Sequence, residues 1–237
     1  MSEGPPHIEM HGVTKAYHGL RPLRIARLQV RAGDQLTLSG FDAAAAEVFI
    51  HLVTGAAVPD EGDVRVAGNN TRDIATDTEW LQSLDRFGIV TERAVLLDGI
   101  STEANLALPL TLAIDPMSDE TRTKVAAVAK LAGLAADRLN TTVATLTPEE
   151  RARVHLGRAI ANAPAVLLLE HPTARLDPSA AEAFGNTLAR IAATEGLTWV
   201  ALSEDEAFAR GAGGRRLRLK AATGELAEPG LWRRVFG

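Results

Sequence analysis

The sequence predicts an α/β fold, a parallel sheet covered by helices. Three observations carry that prediction. Strand-like and helix-like segments alternate along most of the chain, the order that yields parallel pairing through helical crossovers. Residues 165–169 are short and continuously apolar, the pattern of a strand buried on both faces. Pro148 opens a long helical pattern, at the one helix position where its missing N–H costs nothing.

The elements follow in order. Residues 23–30 and 35–38 read as strands joined by the turn Arg31-Ala32-Gly33-Asp34. Residues 43–53 read as a helix closed by Gly55. The turn Pro59-Asp60-Glu61-Gly62 leads into a strand at 63–66, and a short helix at 80–85 precedes a strand at 87–90. Residues 101–108, 118–134 and 148–161 are helical. A buried strand at 166–169 is followed by an amphipathic helix at 179–194, a strand at 198–202, a helix at 204–209 and a last strand at 215–220. Residues 106–146 offer no good strand, so a helical subdomain is expected to interrupt the α/β body. Its bounds are placed at about 92–162, with the core at about 1–91 and 163–237 of a single domain.

Composition narrows the function. The 237 residues suffice to bury a core without disulfides or metals. Hydrophobic residues at 46% and charged residues at 23% exclude a disordered chain. Cysteine is absent, which excludes a disulfide framework, a thiolate metal site and a cysteine nucleophile. The 25 basic residues are outnumbered by 30 acidic ones, so no overall basic footprint for nucleic acid exists. The start, MSEGPPHIEM, lacks a basic region followed by an apolar one. No stretch reaches the roughly 18–20 apolar residues of a membrane helix. The expectation is a cytoplasmic protein, peripheral on the inner face of the cell membrane through a partner.

Five segments carry a resemblance. Tyr17 closes Gly12-Val13-Thr14-Lys15-Ala16-Tyr17, and residues 38–55 run strand, glycine loop, helix. Residues 99–110 read GISTEANLALPL, residues 151–164 read RARVHLGRAIANAP, and residues 166–177 read VLLLEHPTARLD. In this order they resemble the ATP-binding cassette, the nucleotide-binding subunit of ABC transporters, over residues 8–219. The resemblance implies a P-loop NTPase-like, RecA-like parallel-sheet core with an antiparallel β subdomain and a helical insertion. The stretch EANLALPL at 103–110 and the following Asp115-Pro116-Met117-Ser118-Asp119-Glu120 resemble, within that family, ATPases of lipid or lipoprotein trafficking permeases.

The departures fall on the chemistry. A phosphate loop of the form GxxxxGK[ST] uses glycines to turn backbone N–H groups toward phosphate, a lysine to neutralise it and a hydroxyl to hold Mg²⁺. The run aligned with it is Gly40-Phe41-Asp42-Ala43-Ala44-Ala45-Ala46-Glu47. Gly40 is kept, Ala43 and Ala45 stand for glycines, Ala46 for the lysine and Glu47 for the hydroxyl. Asp42 and Glu47 place negative charge near a helix N-terminus, where Asp42 can act as the cap. The Asp-Glu pair expected after the buried strand, which serves Mg²⁺ and the attacking water, is Glu170-His171. The family's Q-loop glutamine falls on Glu92 and its switch histidine on Glu204. Its signature loop falls on Leu146-Thr147-Pro148-Glu149-Glu150, where Thr147 and Glu150 have the spacing of a capping box. Tyr17 falls on the adenine-stacking position, and Asp177 is retained.

These departures lead to the expectation of a non-catalytic subunit, a scaffold or regulator docked on an integral-membrane permease beside the segment 92–100. A second cassette subunit, identical or different, is a further expected partner. No catalytic residue, no cofactor and no metal are expected, with ATP and Mg²⁺ bound at most weakly. Two other readings stand beside this one. One is a freestanding interaction protein that reuses the fold. The other is an ATPase with atypical residues, for which Lys15 would have to replace the missing lysine. The acids Glu47, Glu92, Glu149, Glu170 and Glu204 are expected to converge on one surface.

Overall fold

The computed structural model describes residues 4–19, 21–91 and 93–229. β1 (Ile8–Lys15), β2 (Leu23–Val30), β4 (Glu61–Val66) and β5 (Asn69–Asn70) form an antiparallel sheet in the order β2-β1-β4-β5. β3 (Gln35–Ser39), β6 (Phe87–Val90), β7 (Val166–Glu170), β8 (Thr198–Leu202), β9 (Arg215–Lys220) and β10 (Glu225–Ala227) form a second sheet, ordered β10-β9-β3-β8-β7-β6. There β3, β6, β7, β8 and β9 are parallel, and β10 closes one edge antiparallel. The inner strands β7 and β8 of this sheet are buried for a readable reason. All five residues of β7 (VLLLE) and of β8 (TWVAL) are buried, as expected for parallel strands covered on both faces.

Alternation along β7 sorts its side chains between two cores. Leu167 and Leu169 join Leu106, Val125, Val154, Phe184, Trp199 and Phe208 on the helical side. Val166 and Leu168 join Ile8, Met10, Ile25, Leu36, Leu38 and Phe49 between the two sheets. The helix α1 (Ala43–Thr54) fills the second core, capped by Asp42 and stopped by Gly55 in the left-handed conformation. The helix α2 (Asp77–Leu84) opens on a Thr76–Glu79 capping box. Between β6 and β7 come α3 (Thr102–Ala107), α4 (Asp119–Leu131) and α5 (Pro148–Ile160), each started by a hydroxyl cap: Ser101, Ser118 and Thr147. The helix α6 (Pro178–Glu195) starts on Asp177 and packs on α7 (Glu206–Ala212). That contact is close because Gly185 has no side chain: a Cβ there would lie 2.4 Å from the carbonyl oxygen of Phe208.

The α/β expectation holds, and several details differ. The helix expected at 80–85 starts at Asp77, where the Thr76 cap begins it, and β4 starts at Glu61, inside the turn expected at 59–62, because its pairing with β1 extends to Glu61. Residues 8–15 form a strand that the sequence pattern conceals, because His11 and Gly12 interrupt its alternation and face solvent. The last helix starts two residues later than expected. Asp205 accepts from the amides of Ala207 and Phe208 and so takes the cap position, which leaves Glu204 in the preceding loop. The short strands β5 and β10 carry too few apolar residues to be read from sequence.

Candidate functional site

Gly40, the Glu170-His171 pair and Glu204 lie at the carboxyl ends of the parallel strands β3, β7 and β8. Ligands of open α/β sheets bind at that edge. Gly40 has φ 89°, and a Cβ there would come within 2.7 Å of the carbonyl oxygen of Leu219. Its amide donates to Glu204 Oε1. The first turn of α1 is satisfied from within. Asp42 Oδ1 accepts from the amide of Ala45 at 2.8 Å, and the Asp42 carbonyl accepts from Ala46 at 2.9 Å. Ala45 and Ala46 are buried against the inter-sheet core, while Ala43 and Ala44 are exposed.

A three-residue ion bridge lies beside this loop. Arg93 Nη1 contacts Glu47 Oε2 at 2.9 Å, and Arg93 Nη2 contacts Glu170 Oε2 at 2.6 Å. Glu170 is only 6% exposed, so an unpaired charge there would be costly, and a guanidinium spanning two carboxylates removes that cost. His51 Nε2 stands 3.9 Å from Glu47. His171 has φ 42°, its amide donates to the carbonyl of Leu202, and its Nε2 is buried without a hydrogen-bond partner. Thr173 donates to Asp205 at 2.7 Å, which locks the loop after β7 to the start of α7.

Other expected residues are placed elsewhere or serve the fold. Tyr17 is half-buried against the inter-sheet core; desolvation, then the nearby Asp42 charge, raises its hydroxyl above the usual phenol range. Lys15 does not reach the loop: its Nζ is held by Asp60 at 2.8 Å. Thr147, Pro148 and Glu149 begin α5, with the Thr147–Glu150 capping box formed and Glu150 paired to Arg138 at 2.8 Å. Asp177 caps α6. The expected convergence of acids is realised only in part, for Glu47 and Glu170 through Arg93, with Glu204 on the neighbouring amide. Glu92 lies outside the described residues. Arg93 was not singled out by sequence reasoning; its signal is that it is the one cation in Thr91-Glu92-Arg93-Ala94.

A groove runs beside this cluster, lined by Val90, Ala94, Val95, Leu96, Asp98, Pro148, Arg151, His155, Arg175 and Leu176 among others. Asn105, fully buried, holds its wall. Its Oδ1 accepts from the amide of Leu97, and its Nδ2 donates to the carbonyls of Leu97 and Ser101. Burial, then Arg158, Arg151 and Arg175, pushes His155 down to about 4, so it is neutral at pH 7.

The family profile described as ABC transporter matches residues 23–174. The chain belongs to the ABC transporter family. It is 29% identical over 232 residues to the methionine import ATP-binding protein MetN of Brucella abortus, covering 98% of this chain and 61% of that protein. It is 32% identical over 231 residues to MetN 2 of Burkholderia mallei, covering 95% of this chain and 57% of that one. The chain thus spans about three fifths of the length of these relatives. Among solved structures, the dimeric MJ0796, a bacterial ABC transporter cassette, matches with TM-score 0.72, 25% identity, and 90% and 94% of the two chains covered. Its post-hydrolysis form bound to ADP and Pi matches with TM-score 0.74 at 24% identity, covering 93% and 98%. The fold is therefore the P-loop NTPase-like α/β fold of ABC cassettes.

These findings correct one expectation. The relatives are named ATP-binding import proteins, which overturns the non-catalytic scaffold drawn from the loop residues. The physical reason is that anion binding at such a loop rests on backbone N–H groups and the helix dipole as well as side chains. The frame of β3, Gly40 and α1 is intact. One disagreement stays local. As arranged here the residues do not fit a magnesium triphosphate: Ala46 offers no charge, Glu204 holds the Gly40 amide, and Arg93 fills the space between Glu47 and Glu170.

Proposed function

We propose that this chain is the ATP-binding-cassette subunit of an import transporter, working at the cytoplasmic face of a membrane on a permease partner and beside a second cassette subunit. The observation that supports it is the family match together with relatives named as import ATP-binding proteins. The groove beside Arg93 suits the docking role. It is lined by the apolar Val90, Leu96 and Leu176 and by Val95, 72% exposed, and its rim carries the Asp98–Arg151 ion pair at 2.8 Å. An amphipathic helix buries its apolar face in such a groove and meets the rim with polar ends. Among the described residues no helix is long and apolar enough to cross a membrane, so membrane attachment in this reading comes from the partner.

The test is affinity purification of the tagged chain from detergent-solubilised membranes of its host, with mass spectrometry and ATP turnover measured on the recovered assembly. The reading expects a polytopic membrane protein in stoichiometric amount and turnover by the complex. Recovery of soluble proteins alone, or a complex with no turnover, contradicts it.

A further inference from the structure

The bridge Glu47–Arg93–Glu170 joins three separate elements: α1, the loop after β6 and the end of β7. By the resemblance, Glu47 and Glu170 stand where a hydroxyl and a carboxylate would share a magnesium ion. Two carboxylates, one of them 6% exposed, require a positive charge between them. That charge is already present, at 2.9 Å from one and 2.6 Å from the other. A divalent ion entering the same space would have to break both contacts and face the guanidinium at short range. Arginine suits the position better than lysine, because its planar fork offers separate N–H donors to two carboxylates at once.

We propose that Arg93 is the resident cation of this cassette in the absence of nucleotide, taking structurally the place that a divalent metal holds between these two positions, so that the nucleotide-free site takes up no Mg²⁺. The inference rests on the placement of Glu47 and Glu170 at the family's metal-binding positions, not on permease docking or nucleotide.

The experiment is thermal unfolding of the full chain in EDTA, in Mg²⁺ and in Mn²⁺, for wild type, Arg93→Met and the double variant Arg93→Met, Glu170→Gln. Wild type is expected to melt at one temperature in all three. Arg93→Met leaves the two carboxylates facing each other. It is expected to melt lower in EDTA and to regain about 2–4 °C in metal at several times the dissociation constant. The double variant, with one carboxylate neutralised, is expected to melt above Arg93→Met in EDTA and to be indifferent to metal. A wild type stabilised by Mg²⁺, or an Arg93→Met that folds but ignores both metals, overturns the proposal. Should Arg93→Met not fold, the double variant decides: folded and metal-indifferent supports the proposal, and unfolded overturns it. No nucleotide or membrane enters the assay, so its failure leaves the transporter reading standing, and failure of that reading leaves this one.

Discussion

Asn105→Ala is predicted to loosen the docking groove at a cost worked from three hydrogen bonds. Asn105 is fully buried and is bonded to both polar groups of Leu97 and to the carbonyl of Ser101, at 2.9, 3.0 and 3.0 Å. The carbonyl of Leu97 keeps a bond from Ile100, and that of Ser101 keeps the helical bond from the Asn105 amide. The amide of Leu97 loses its partner. The orphaned donor costs about 1–3 kcal/mol and each of the other two lost bonds about 1 kcal/mol net, so the sum is about 3–5 kcal/mol. Urea denaturation at pH 7 measures it, and hydrogen exchange locates it: the Leu97 amide should exchange faster than those of β7. Asn105→Asp, which keeps the acceptor but buries an unpaired charge and loses the donor, should be no better. A loss below about 1 kcal/mol for alanine, or a native-like aspartate variant, would refute the reasoning and mean that the segment repacks or takes up water.

Three further outcomes are expected. Glu204→Ala frees the Gly40 amide and removes a negative charge from the loop, so a fluorescent ATP analogue should bind about 3–10-fold tighter by anisotropy; unchanged or weaker binding counts against the account of this loop. Gly185→Ala gains helix propensity of up to about 1 kcal/mol but drives a Cβ to 2.4 Å from the Phe208 carbonyl oxygen. A net loss of about 1–3 kcal/mol in denaturation is expected, and a gain would show that α7 shifts freely. His155 is held at about 4 when folded, below the 6.5 of an ordinary histidine. The unfolded chain therefore binds more protons between those values, and stability falls as pH drops from about 6.5 towards 4. The full shift corresponds to about 2 kcal/mol by pH 5, and solvent at the groove reduces that to about 1 kcal/mol. His155→Gln should flatten the difference in urea midpoint between pH 7 and pH 5 by that amount, and an unchanged pH slope would dismiss the assignment.

The fold was legible where local chemistry agrees with packing. The apolar run of β7, the Pro148 start of α5 and the Gly55 stop of α1 each state a backbone preference that burial reinforces. β1 was not legible, because its outward residues follow no clean period and its pairing with β2 and β4 is set by distant segments. In the site, the Asp42 cap could be foreseen from residue type and place alone. The Arg93 bridge could not: its partners lie 46 and 77 residues away in sequence, and charge pairing across that distance is a product of topology. The missing side chains of residues 43–47 are visible in the sequence, whereas the intact frame of β3, Gly40 and α1 that holds the loop's backbone N–H groups in place is a property of the folded chain.

The central claim, that this cassette works on a membrane permease through the groove beside Arg93, can be tested at one side chain. The chain has no cysteine, so Val95→Cys, 72% exposed in wild type on the groove wall, takes a benzophenone maleimide at a single place. Ala222→Cys, exposed in the turn between β9 and β10, serves as the control. After illumination in host membranes, the account predicts one cross-linked polytopic membrane protein from position 95 and none from position 222. Equal cross-linking from both positions, or none from position 95 to any membrane protein, would contradict it.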